Sequence, residues 1–149
     1  MPTPYNTSQL LEIVNNAKLS WLERGKAVEE LCQGGMSLET IVDLTGISKV
    51  AVSHQRICFL NLRGTAKEMC RSHKMYADAS YTLAQAVRKD ASLNQESVMR
   101  RAIALSEDRD SKRLKQGKGI KGRQTLEGQI TNEDVKTALL DEKYKYKRS

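Results

Sequence analysis

Proline is nearly missing from this 149-residue chain: Pro2 and Pro4 are the only two. Beyond Pro4, nothing breaks a helix through a locked ring or a missing amide. No segment sustains a period-two alternation of apolar and polar residues, so strands are not expected. Aromatic residues make up 5% of the chain. Tyr76, Tyr81, Tyr144 and Tyr146 form no stacking platform of the kind single-strand binders use. No apolar run approaches the roughly 20 residues that span a bilayer. The opening "MPTPYNTSQL" lacks a signal peptide's basic start and apolar centre. These absences point to a cytoplasmic protein with no membrane partner.

Chemistry is scarce as well. Cys32, Cys58 and Cys70 are odd in number, irregularly spaced and placed on apolar helical faces, which argues against a disulfide framework. The two histidines are His54 and His73, and the grouping Cys58, Cys70 and His73 lacks the paired close spacing of a structural zinc site. No phosphate loop, dinucleotide fingerprint or nucleophile elbow occurs. Glu29-Glu30 and Asp141-Glu142 are adjacent in sequence and diverge on a helix, and Ser53-His54 is likewise unsuited to a nucleophile and its base. No enzyme activity, catalytic residue, cofactor or metal is expected.

What the chain has is helix punctuation. Ser20–Glu23, Thr65–Glu68 and Ser92–Gln95 fit the capping-box pattern, and Gly34-Gly35, Gly46, Gly64 and Gly117 stand at expected helix ends. The apolar spacing predicts helices over 8–16, 21–33, 38–45, 49–61, 66–73, 79–89 and 93–114. The predicted fold class is all-α: a multi-helix domain over residues 1–106, then a basic linker and a short C-terminal helix.

Composition shifts near Glu107. Residues 107–128 hold Lys112, Arg113, Lys115, Lys118, Lys121 and Arg123, with no acid from Lys112 to Arg123 and almost nothing apolar. Such a stretch buries too little surface to offset ordering its backbone, and reads as a flexible arm. Residues 129–149 read as a short helix capped by Thr131 or Asn132 and a basic tail. A lone helix of that length is marginal in water, so the segment from Ile130 to Leu140 is a candidate for pairing two chains. The net charge is +7, of which residues 107–149 carry +4, with 12 Lys/Arg against eight Asp/Glu. An excess of this kind favours a polyanionic partner.

One stretch carries a specific shape. "SLETIVDLTGISKVAVSHQRICFL", residues 37–60, reads as a short helix, a glycine turn and a second helix. In a DNA-reading helix-turn-helix, the second helix enters the major groove by its N-terminal end. Gly46 supplies the turn, Ile47 plugs the corner, Ser48 caps the second helix and Val52 packs inward. Thr45 and Gln55 stand where the motif usually has aliphatic residues. Lys49, Ser53, His54 and Arg56 are the polar candidates around the early recognition helix, where short donors reach base edges and a cation reaches a base or a phosphate. Ser37, Thr40, Ser48 and Arg56 are candidates for phosphate, joined by Lys112, Arg113, Lys115, Lys118, Lys121 and Arg123 of the arm.

From about Trp21 to Ala86 the order of features resembles the central helix-turn-helix domain of ParB- and KorB-type partition proteins and repressors. "GKAVEELCQGGMSLETIVDLTGIS" resembles that family's leading helix and motif, "ICFLNL" the leucine-rich end of its recognition helix, and "RGTAKEMCRSHKMYADASYTLAQAV" its next two helices. Arg63-Gly64 stands where the family commonly has proline, and the stretch from Val52 to Leu62 is one residue longer. No counterpart of the family's nucleotide-binding domain or its arginine-rich motif occurs, so nucleotide hydrolysis is not implied. The resemblance implies sequence-specific binding of double-stranded DNA, with Lys49, Val50, Ser53 and His54 at the family's base-reading positions, by a regulator or partition factor of bacterial, plasmid or phage origin on the nucleoid or a plasmid. One helix-turn-helix reads only a few base pairs, so a homodimer is expected. The alternative is a protein-interaction adaptor whose helix 49–61 packs on a protein partner and whose basic tail binds nucleic acid non-specifically.

Overall fold

A computed structural model describes residues 6–115 and 129–147, with side chains described outside 113–115 and 142–147. Eight helices follow in chain order among these residues: α1 (Thr7–Val14), α2 (Trp21–Gln33), α3 (Leu38–Thr45), α4 (Lys49–Asn61), α5 (Gly64–Arg71), α6 (Ala77–Lys89), α7 (Gln95–Lys115) and α8 (Asn132–Lys147). No strand occurs among the described residues beyond an isolated parallel bridge between Met75 and Ile130. The chain is all-α, as its apolar spacing predicts.

Two apolar clusters hold the helices. Leu10, Val14, Val28, Leu31, Ile41 and Val52 close α1, α2, α3 and the start of α4. The second, larger cluster joins Leu22 of α2 and Cys58 of α4 to α5, α6, α7 and α8. Helices α2 and α4 therefore run through both, and they cross closely. A methyl group built on Gly25 would lie 1.9 Å from the carbonyl oxygen of Gln55, so only glycine fits there.

Several helix starts are set by partners far along the chain. Ser20 caps α2 as predicted, accepting from the Glu23 amide at 3.2 Å. Thr65 does not cap α5. Its amide and hydroxyl both donate to the Glu96 carboxylate of α7, at 2.8 and 2.7 Å. Gln95 adds a reciprocal tie, accepting from the Arg63 amide at 3.0 Å and donating to the Asn61 carbonyl at 2.8 Å. Because α7 supplies the cap, α5 starts two residues earlier than its own sequence implies. The cap of α7 is Asn94, which accepts from the Ser97 amide at 3.0 Å, and Ser92 is instead tied to Asp90.

The C-terminal part corrects two expectations. The stretch read as a flexible arm from residue 107 continues α7 to Lys115. Its helix is held by the Lys112–Asp108 pair and by Arg109, which donates to both oxygens of buried Asp134 at 2.7 and 2.8 Å and to the Gln129 carbonyl at 2.9 Å. The segment proposed to pair two chains is used within one: Ile130, Val135 and Ala138 are buried in the larger cluster. Thr131 caps α8, accepting from the Asp134 amide at 3.2 Å and donating its own amide to the Asp134 carboxylate at 3.0 Å. Helix α8 then runs to Lys147, through most of the stretch read as a tail.

Candidate nucleic-acid interface

The helix-turn-helix is assembled as its residues predict. Gly46 ends α3 in the left-handed conformation, at φ 75°. Ile41 and Val52 are fully buried across the turn, and Ser48 caps α4 by accepting from the Ala51 amide at 3.1 Å. The two departures from the usual pattern have local explanations. The Thr45 hydroxyl donates to the Ile41 carbonyl at 2.7 Å and accepts from the Ile47 amide at 3.3 Å, so it ties the helix end to the turn. Gln55 is buried where α4 meets Gly25 of α2, and its side-chain oxygen has no hydrogen-bond partner.

The first turns of α3 and α4 lie together, because Lys49 of α4 donates to the Glu39 carboxylate of α3 at 2.7 Å. That hydrogen bond is the main reason the Glu39 carboxyl is held below its ordinary range. Both partners are exposed, and an exposed ion pair contributes little. Lys49 can therefore exchange Glu39 for a phosphate at small cost. Beside it Val50 is 63% exposed. Ser37 and Thr40, both exposed, share a hydroxyl hydrogen bond of 2.9 Å at the start of α3. Two helix N-termini with their positive dipole ends, three hydroxyls, an ammonium and an exposed branched side chain thus share one surface.

Two predicted contacts are not on it. His54 is half-buried, with its ring stacked on Tyr81 of α6 at 3.5 Å between centroids and tilted toward Trp21 of α2 at 6.3 Å. Burial lowers its pKa and so favours the neutral imidazole. Arg56 donates to Glu29 of α2, through Nε at 2.7 Å and a second nitrogen at 3.4 Å. That pairing raises the Arg56 pKa and ties the guanidinium to α2. His54 and Arg56 serve as packing contacts for α4. Ser53 is half-buried on the open side. Lys112 is exposed on α7, the side chains of Arg113 and Lys115 are not described, and Lys118, Lys121 and Arg123 lie outside the described residues.

Electrostatically the motif stands apart from the rest of the chain. Residues 6–55 hold four Lys/Arg and six Asp/Glu, a net of −2, so residues 56–149 carry +9. Residues 6–55 also match the family model described as the Rubisco accumulation factor 1 helix turn helix domain. The chain contains a helix-turn-helix domain. The match covers about a third of the chain, and the matched family is not the ParB/KorB type that residues 21–86 resemble in pattern. No curated protein and no solved structure matches the chain.

Proposed function

We propose that this protein binds double-stranded DNA sequence-specifically, as a transcriptional regulator or partition-type factor, through the first turn of α4. One observation carries the reading: Lys49 and Val50 stand exposed at the start of a helix whose remaining length is anchored on α2 and α6. A reading head needs that combination, because a base-edge contact discriminates only if the backbone behind it holds its place. Val50 supplies an apolar surface suited to a thymine methyl, Lys49 a donor for a guanine edge or a phosphate, and Ser53 a short hydroxyl. Ser37, Thr40 and Ser48, with the backbone amides beside them, suit the flanking phosphates.

A second reading is a protein-interaction adaptor. It draws support from the net −2 of residues 6–55 and from the exposed apolar side chains Leu44 and Val50 on either side of the turn. An acidic, partly apolar surface fits a basic protein better than it fits DNA.

Selection from a random duplex pool at physiological salt separates the two. Recovery of an inverted repeat establishes specific readout by a dimer, since one helix-turn-helix reads only a few base pairs. Recovery of a half-site establishes readout by a monomer. Absence of enrichment removes the DNA reading and leaves the adaptor.

A further inference from the structure

We infer that α5 is a second nucleic-acid contact, a phosphate-binding face carried by Arg63, Lys67 and Arg71. The inference rests on the duplex-binding reading above and assigns to α5 the counter-charge that the motif itself lacks. Residues 6–55 are net negative, so the attraction for a polyanion has to come from elsewhere in the chain. Lys67 and Arg71 are exposed and stand four residues apart on α5, with roughly 6 Å of rise between them, and Arg63, also exposed, is the residue that precedes the helix. Lys74, also exposed, follows in the turn after α5. The acid within this run is Glu68, which pairs with Arg71, and Glu23 of α2 adds a weaker field on the same guanidinium. Arg63 spends one bond on the Leu62 carbonyl at 2.9 Å, and Lys67 forms no ion pair among the described residues.

The face is held in place. Ala66 and Cys70 are buried in the core, and Gln95 and Glu96 of α7 fix the first turn of α5.

The test is the salt dependence of affinity for the selected site and for random duplex, in the full chain. The triple variant Arg63→Gln/Lys67→Gln/Arg71→Gln is compared with a charge-matched control, Arg88→Gln/Lys89→Gln/Lys136→Gln, whose residues are also exposed. Circular dichroism confirms that both are folded, and Lys67→Glu alone serves if the triple is not. Each lost phosphate contact lowers the slope of log K against log salt by roughly 0.9. The expected result is a slope shallower by roughly two to three for the α5 triple, equal losses on selected and random DNA, and little change in the control. Equal slopes for wild type and the α5 triple, or equal losses in both triples, overturn the α5 face. In either case Lys49→Ala still reports on the motif by its selective loss on the selected site. If wild type selects no DNA, the duplex reading falls and the α5 face falls with it.

Discussion

A methyl group at Gly25 would meet backbone, the Gln55 carbonyl at 1.9 Å, whereas one at Gly46 would meet open space. The two glycines therefore answer to different physics, and alanine separates them. Gly25→Ala forces α2 and α4 apart and is expected to cost about 2–3 kcal/mol, as overpacking does. Gly46→Ala strains only its own left-handed backbone, at about 1–2 kcal/mol. Urea unfolding of the two variants checks the order. At His54 the relevant variable is pH. Its folded pKa is depressed by burial, so the unfolded chain binds the proton more readily, and stability is lost as pH falls below the ordinary value of 6.5. The carboxyls of Glu39, Glu68 and Glu96 are also held below their ordinary 4.5, so their contribution fades only at lower pH. Thermal unfolding should therefore shift downward between pH 7 and pH 5.5, followed through Trp21, the chain's one tryptophan and a neighbour of His54. The variant His54→Phe should keep the ring packing and lose that part of the shift.

Helix α5 is an element whose start belongs to another element. Its first amides are satisfied by Glu96 and Gln95, 31 and 32 residues away, because α7 packs across its N-terminus. Replacing Glu96 by alanine should raise hydrogen exchange at Thr65 and neighbouring amides before the rest of the protein responds, and Glu96→Gln should restore part of the protection. Helix α8 is tied to α7 by a partly buried ion pair as well as by its apolar side. Arg109 closes on Asp134, whose side chain is 8% exposed, and breaking a pair buried to that degree leaves a charge without its partner. Arg109→Met is expected to cost about 2–4 kcal/mol. It should also make the segment 129–147 the first site of limited proteolysis. Composition alone reads residues 107–115 as linker because few of them are apolar. The helix persists there because an arginine, not a leucine, is its anchor.

At the scale of the whole molecule, α2 and α4 share both apolar clusters, so the helix-turn-helix does not fold apart from the helices that follow it. One cooperative transition is expected in urea, with the Trp21 fluorescence and far-ultraviolet circular dichroism curves coinciding. Two transitions would mean that the clusters unfold independently. The charge is divided more sharply than the packing, with a net −2 motif joined to a net +9 remainder. The all-α class, the bounds of α2, α3 and α4, the Gly46 turn and the Ser48 cap were legible in the residues, because each rests on spacing or on a hydrogen bond three residues long. Lys49 was legible from the same motif spacing, and Val50 only through the family resemblance. Tertiary structure alone decided that His54 stacks on Tyr81, that Arg56 belongs to Glu29, that Glu96 caps α5 and that Ile130, Val135 and Ala138 fill this chain's own core. Those partners lie 27 to 31 residues apart where a hydrogen bond joins them. A polar side chain looks the same in sequence whether it faces solvent, a phosphate or a neighbouring helix, and only the packing of distant helices settles which one it meets.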